Sequence, residues 1–337
     1  MADIAATLYN PTQVLLQTSA TMQSLSDAIS LPPRVSVVVP VYRGALSIGN
    51  LQQRLDLALS GMQGGHEIIF VDDRGGDNSW EVIQALSNSY PHVSGIRLSR
   101  NFGQHAATLC GISKARGEWI ATIDEDLEQP PESLPAMLAK AEEGYSVIYG
   151  VTEQRSHAKW RNFTSEVGRS LFKFAIPTLN REYTSFRVIH RSVAAGLDRF
   201  QSPFTFIDGY ISWITHDYAT VIVPHDERTH GTSSYNLRKL IAHMINIFVT
   251  FSDLPLRVAT WLGVGASVGG AIWGLTILIA KLTGALGVSG YASIMAGMMF
   301  LGGIQLLILG IFGEYLARIN FKTASMPLFL VEQETKS

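Results

Sequence analysis

Charge is scarce in this chain. Asp, Glu, Lys and Arg make up 16% of its 337 residues, against about 25% in an ordinary soluble domain. The two signs almost cancel, at a formal −2, so the basic footprint of a nucleic-acid binder is missing and no nucleic-acid partner is expected. Cysteine is scarcer still. Cys110 stands alone, which excludes an intrachain disulfide, and its apolar neighbours mark it as a core residue rather than a nucleophile. Residues 1–33 lack the basic start and apolar run of a signal peptide. Rich in Ala, Ser, Thr and Gln and closed by Pro32-Pro33, they read as a flexible N-terminal arm with room for a short helix.

The shortage of charge is concentrated in the last third. Val258 to Ala280 contains no charged residue, and neither does Tyr291 to Gly313. Each run is long enough to cross a bilayer, which predicts transmembrane helices at 257–281 and 291–313. The short connection from Lys281 to Gly290 makes them a hairpin, and their small residues suit close packing in lipid, hence a homo-oligomer. Gly263-Val264-Gly265-Ala266-Ser267-Val268-Gly269 has the look of a dinucleotide loop, but it follows no strand and lies inside an apolar span. Arg257, Arg318 and Lys322 flank the outer ends, while Lys281 alone marks the turn. The excess of positive charge inside then predicts a multi-pass protein of the inner membrane with its large domain, and a tail at 314–337, in the cytoplasm. Ahead of the hairpin, at 234–256, Leu237, Leu240, Ile241, Met244, Ile245 and Phe248 recur at helical spacing, with Arg238, Lys239, His243 and Asn246 elsewhere on the wheel. That pattern fits a helix lying in the membrane interface, or a core helix of the soluble part.

Residues 34–233 alternate in character. Strand-like runs stand at Val35–Val39, Glu67–Val71, Ser94–Leu98, Trp119–Ile123 and Tyr145–Tyr149. Helical patterns lie between them at Ser47–Leu59, Ser79–Ser87 and Gln104–Ala115. Strand and helix in alternation predict an α/β fold, a mostly parallel sheet with helices on both faces.

The polar residues gather where strands end. The first strand runs into Pro40-Val41-Tyr42-Arg43, the second into Asp72-Asp73-Arg74-Gly75-Gly76-Asp77, and the fourth into Asp124-Glu125-Asp126. In an open α/β sheet these loops border one crevice, where ligands bind. Two carboxylates one residue apart can hold a hard divalent cation together with substrate phosphates. Solvated acids and ordinary turn chemistry would also account for each loop taken singly.

Several of these segments, in order, resemble the inverting family 2 glycosyltransferases. Val39-Pro40-Val41-Tyr42, Val71-Asp72-Asp73 with Asp77, Arg100-Asn101-Phe102-Gly103-Gln104-His105, and Asp124-Glu125-Asp126-Leu127 with Pro130-Pro131-Glu132 carry the likeness. The chain is most similar to the polyprenyl-phosphate branch: dolichyl-phosphate mannose synthases and bacterial undecaprenyl-phosphate sugar transferases of the 4-deoxy-4-formamidoarabinose type. The Arg-Asn-Phe-Gly-Gln-His run and His225-Asp226-Glu227-Arg228 followed by Gly231, Ser233 and Tyr235 point there.

The resemblance implies a GT-A (Rossmann-like) fold, a nucleotide-sugar donor and a polyprenyl-phosphate acceptor at the lipid bilayer. UDP-linked donors rank before GDP-mannose. It implies that Pro40, Tyr42, Asp72, Asp73, Arg100, Gln104 and Asp124 surround the donor. Asp126, with Asp124 and Glu128, would hold Mg²⁺ or Mn²⁺. Arg161, Arg187, Arg228, Ser233 and Tyr235 would meet the acceptor phosphate, with Arg155 and Arg169 as further cations, and Glu182 would be a polar group beside it. The catalytic set is thus Asp124, Asp126, Glu182 and Arg228.

The chain departs from the family's pattern in places. Arg43-Gly44-Ala45 replaces the usual Asn and Glu of the first loop, Glu128 stands where mannose synthases carry Gln, Ser185 stands where many relatives have an acid before Phe-Arg, and Thr232 replaces a Lys. A processive polysaccharide synthase is the nearest competitor, but its Gln-x-x-Arg-Trp run is not present. A non-catalytic membrane assembly protein would not need the intact Asp124 and Asp126.

Overall fold

The computed structural model describes residues 32–152, 180, 182–200, 205–224, 254–283, 290–324 and 327–335. At its centre lie the strands with the densest apolar runs. β1 (Val35–Val41) is buried at all seven positions and β2 (His66–Asp72) at six, as expected of parallel strands covered on both faces. β3 is Val93–Leu98 and β4 Trp119–Thr122. The helices of this half are α1 (Ile48–Leu59), α2 (Ser79–Ser89) and α3 (Gln104–Lys114).

Alternation along β1 sorts the core into two layers. Val35, Val37, Val39 and Val41 pack with Ile48, Leu51 and Leu55 of α1 and with Trp80 and Ile83 of α2. Val38 faces the other way, toward Ala107, Cys110 and Ile112 of α3. α3 sits close to the sheet because Gly111 lets it: a Cβ there would lie 2.3 Å from Val38 Cγ1.

The rest of the fold comprises α4 (Leu134–Ala141), β5 (Val147–Thr152), β6 (Arg187–His190), α5 (Arg191–Leu197), α6 (Ile207–Ile214) and β7 (Tyr218–Val223). Then come two long helices, α7 (Leu254–Leu282) and α8 (Tyr291–Thr323), and a last short strand, β8 (Val331–Glu334). The eight strands form one sheet in the order β7-β5-β6-β4-β1-β2-β3-β8. β1 is parallel to both β2 and β4. The chain therefore reverses its direction of winding between β1 and β4, the switch point at which such sheets open a crevice. The expected mostly parallel α/β sheet is what forms.

Two strands run antiparallel and were not foreseen. β6 lies against β4 with Thr122 opposite Arg187, which carries residues 182–186 to the carboxyl end of β4. β8 lies against β3, within the segment expected as a tail at 314–337. α8 continues to Thr323, and the residues after it return to the sheet. Ser99 N donates to Leu330 O at 2.8 Å and Thr335 N to Gly95 O at 2.9 Å. Lys114 pairs with Glu334 at 2.8 Å, and Arg74 with Glu332. β8 escaped detection because all four of its residues are exposed, so an edge strand of this kind carries no apolar alternation.

α7 and α8 extend about 44 and 50 Å at 1.5 Å per residue. Candidate spans at Leu254–Leu282 and Gly297–Asn320 are long and apolar enough to cross a membrane and are not buried against the rest of the protein. Strands before and after the helix pair belong to one sheet, so the hairpin starts and ends on the same side as that sheet. The interfacial helix expected at 234–256 falls outside the described residues, except for its last three positions, which open α7.

Candidate active site

Left-handed backbone is costly for a residue with a side chain, about 1–2 kcal/mol. Among the described residues three non-glycine positions adopt it: Arg43 (φ 62°), Arg74 (φ 54°) and Leu127 (φ 63°). They lie in the loops that follow β1, β2 and β4. Such strain persists only where the surroundings hold it, and it collects at functional sites.

These loops are braced against one another. Arg43 Nε donates to Gly75 O at 2.9 Å, and the loops approach so closely that a Cβ on Gly75 would stand 2.4 Å from Arg43 N. Ala45 N donates to Asp77 Oδ2 at 3.2 Å and Gly44 N to Ser79 Oγ at 3.1 Å. Arg43-Gly44-Ala45, the segment that departs from the family's pattern, is therefore built into the second loop. Tyr42 N donates to Glu125 Oε1 at 3.3 Å, which joins the first loop to the fourth. The ring of Tyr42 is 45% exposed and lies beside the Arg43 guanidinium.

Asp72 and Asp73, expected beside the donor, are engaged within the protein. Both are buried. Asp72 accepts from Arg74 N at 3.1 Å and pairs with Arg97 at 3.3 Å. Asp73 accepts from Phe102 N at 2.7 Å with one oxygen and from Gly103 N at 2.8 Å with the other. Burial raises both carboxyls above the usual range, against the pull of these donors. Pro40 is likewise buried within β1, opposite Val71. These three lie beneath the loop surface, and any ligand reaching the two carboxylates would have to compete with bonds already made. Arg100 is exposed, with its guanidinium over the Phe102 ring at 4.2 Å.

The fourth loop carries the acids. Asp124 is held at both oxygens: Gln104 Nε2 donates to Oδ1 at 2.5 Å, Ser185 Oγ to Oδ2 at 2.6 Å, and Gln129 Nε2 to Oδ2 at 3.3 Å. Burial raises its carboxyl, the Ser185 hydroxyl opposes that, and the charge of Asp126 adds to it. Asp126 Oδ1 accepts from Glu128 N at 3.2 Å, with the left-handed Leu127 between them. Burial pushes Glu125 up to about 7, with Asp124 and Asp126 adding like charge on either side. Asp124, Asp126 and Glu128 thus put several carboxylate oxygens on one tight turn. Carboxylate oxygens are the ligand type that hard divalent cations such as Mg²⁺ and Mn²⁺ take.

Ser185 and Gln129 were missed as site residues. Gln129 Nε2 also donates to Ser185 Oγ at 2.7 Å, and Thr122 Oγ1 to Ser185 O at 2.5 Å. An acid at 185 would set a second carboxylate against Asp124, whereas the serine hydroxyl donates to it. The antiparallel return of β6 makes this meeting, and one-dimensional spacing does not show it.

Arg187 requires a correction. Expected at the acceptor phosphate, it is 2% exposed. Its guanidinium pairs with the buried Asp208 and donates from Nε to Thr122 Oγ1 at 3.1 Å. A phosphate could reach it only by displacing Asp208, so its position is that of a buried tie between β6, β4 and α6. Glu182 is exposed, three residues before Ser185. Arg155, Arg161, Arg169, Arg228, Ser233 and Tyr235 lie outside the described residues.

Comparison with known proteins places these features in a family. The model of Glycosyl transferase family 2 matches residues 36–198. An uncharacterized glycosyltransferase of Bacillus subtilis is 32% identical over 303 residues, 88% of this chain and 93% of its own. The undecaprenyl-phosphate 4-deoxy-4-formamido-L-arabinose transferase of Pseudomonas aeruginosa is 30% identical over 307 residues, 90% of this chain and 91% of its own. A solved mannosyltransferase of Pyrobaculum calidifontis is 15% identical, covering 85% of this chain and 88% of its own with a TM-score of 0.43.

Proposed function

The chain belongs to glycosyl transferase family 2, and from that premise we propose that it moves one sugar from a nucleotide donor to a polyprenyl phosphate such as undecaprenyl phosphate, with inversion at the anomeric carbon. The observation that carries the reading is the convergence of three strained, mutually braced loops on the turn bearing Asp124 and Asp126, at the switch point of the sheet. The relative named for undecaprenyl-phosphate transfer, matched over nine-tenths of this chain, supports the choice of acceptor.

The chemistry needs no strong base. A phosphate monoester has its second pKa near about 6, so the acceptor oxygen is largely ionised at neutral pH and attacks the anomeric carbon directly. The new bond joins that carbon to the acceptor oxygen. The bond to the nucleotide diphosphate breaks, and its electron pair leaves with the diphosphate. What remains for the protein is positioning and charge neutralisation. Asp126 and Glu128 would hold a divalent cation, Mg²⁺ or Mn²⁺, which would supply Lewis-acid neutralisation of the leaving diphosphate. Asp124, fixed at both oxygens by Gln104, Ser185 and Gln129, orients that turn. The exposed Tyr42 ring offers a face to the base, and UDP is the preferred nucleotide. Arg161, Arg228, Ser233 and Tyr235 take the acceptor phosphate, as bidentate arginine contacts suit it, with Glu182 beside them.

Residues 34–233 form the catalytic domain in this proposal, and α7 with α8 anchors it to the inner membrane on the cytoplasmic face. A panel of radiolabelled nucleotide sugars, offered with undecaprenyl phosphate to the protein in detergent, tests the reading. Label entering the lipid phase from one donor, and only with divalent metal, is the expected result. Donor hydrolysis without lipid product would reject the acceptor, and silence with every donor would reject the reaction.

A further inference from the structure

At the opposite end of the parallel strands, three side chains from separate elements meet. Asp56 is on α1, His66 is the first residue of β2, and His92 directly precedes β3. His66 Nε2 is 3.0 Å from Asp56 Oδ1, and His92 Nε2 is 2.8 Å from the same oxygen. One potential ligand atom from each of the three lies within 4.8 Å of the others. Their side chains are 14%, 29% and 27% exposed for His66, His92 and Asp56, so they are held in place yet open to an ion from solvent.

The carboxylate is also aimed. Asp56 Oδ2 accepts from Gln52 Nε2 at 2.6 Å, and Gln52, one turn earlier on α1, is 1% exposed. That bond occupies one oxygen and turns the other toward the imidazoles, as outer partners of metal-binding groups do. The His92 ring is positioned in turn by edge contacts with His66 at 4.9 Å and Tyr90 at 5.9 Å between centroids.

Two imidazole nitrogens and one carboxylate oxygen form a donor set for zinc, which is borderline-soft and binds histidine nitrogen and carboxylate oxygen at about 2.0–2.2 Å. Mg²⁺ and Ca²⁺ prefer oxygens throughout. Tetrahedral bonds of that length set ligand atoms about 3.3 Å apart, a few tenths of an ångström beyond the two nitrogen–oxygen separations seen here. We propose that Asp56, His66 and His92 bind a zinc ion, with water as the fourth ligand, which pins α1 to the starts of β2 and β3. This site is separate from the acids of the candidate active site, because β2 alone puts about 20 Å between His66 and Asp72. It stands whether or not the proposed transfer reaction does.

The test uses the full chain in detergent, stripped with chelator, given equimolar zinc, desalted and analysed for metal by mass spectrometry. Wild type and Asp126→Asn should each retain about one zinc and melt higher with zinc than without. His92→Gln should bind at least tenfold more weakly, and Gln52→Leu about ten- to a hundredfold more weakly, in line with other outer-shell losses. Cobalt added to the wild type should give the visible absorption of a low-symmetry site, and zinc should erase it, a readout that requires no variant to fold. Failure of the wild type to retain zinc would overturn the proposal. So would zinc held equally by folded His92→Gln, or lost in Asp126→Asn while His92→Gln keeps it.

Discussion

The two ends of the parallel strands hold their acids differently. At the amino end Glu67 is 6% exposed and fully answered. Ser36 Oγ donates to it at 2.6 Å, Arg116 N at 2.8 Å, and the Arg116 guanidinium reaches its second oxygen at 2.9 and 2.8 Å. At the carboxyl end Asp124, Glu125 and Asp126 are consecutive, the charge of Asp126 raises the proton affinity of Asp124, both raise that of Glu125, and the neighbouring loops carry left-handed Arg43, Arg74 and Leu127. A sheet that can satisfy an acid so completely at one end tolerates crowding and strain at the other. Under the proposed function, the carboxyl end is where an external cation and a substrate complete the charge balance.

The sharpest way to break that comparison is Asp126→Asn. Transfer should fall by about a thousandfold, the scale expected when electrostatic stabilisation of a leaving group is lost, with melting temperature unchanged or higher because one like charge is gone. Arg187→Met comes next. Removing one partner of a buried pair costs about 3–5 kcal/mol, so denaturant unfolding should shift strongly. An arginine that served only the acceptor phosphate would instead change activity and leave stability alone. At the amino end Glu67→Ala should cost about 1–3 kcal/mol, since the Ser36 hydroxyl and Arg116 N–H lose their acceptor, while the protein that remains folded keeps its turnover.

Much of this contrast could be read in one dimension. The buried β-branched runs Val35–Val39 and Glu67–Val71 announce central strands, and acids placed just after such runs announce the crevice. The uncharged run from Val258 to Ala280 announces a helix. What stayed hidden depends on tertiary pairing. β6 is four residues long, too short for a pattern, yet it alone brings Ser185 to Asp124 across 61 positions of sequence. Arg187 looks like any cation until its partner, 21 residues on, is seen to be buried with it. Asp56, His66 and His92 are spaced like no metal motif, because three elements must pack before they meet.

Ser185 gives a smaller and more selective test. Ser185→Ala removes one donor to a charged oxygen, worth about 1.5–3 kcal/mol, and should lower turnover about tenfold or more while raising the metal concentration needed for half-maximal rate. A loss of stability without that metal effect would make the serine a packing residue.

At neutral pH Cys110 has the smallest effect, and it shows only in alkaline solution. Burial pushes its thiol up to about 12 from an ordinary value of 9.0. A folded-state value above the unfolded one means its contribution is full below pH 9 and is lost as pH rises toward 12, at a slope of up to about 1.4 kcal/mol per unit. Native protein should resist iodoacetamide at pH 8 while unfolded protein reacts, and Cys110→Ala should flatten the alkaline limb of the stability curve.

In the proposed reaction the crowded acids at the carboxyl end are completed by a cation and a diphosphate. The most direct measurement is transfer of labelled sugar to undecaprenyl phosphate by chelator-stripped protein, with Mn²⁺ or Mg²⁺ then titrated back in. No lipid-linked label should form without metal, with full recovery on adding it in the wild type and no recovery in Asp126→Asn. Undiminished transfer by the stripped protein, or by Asp126→Asn, would contradict it.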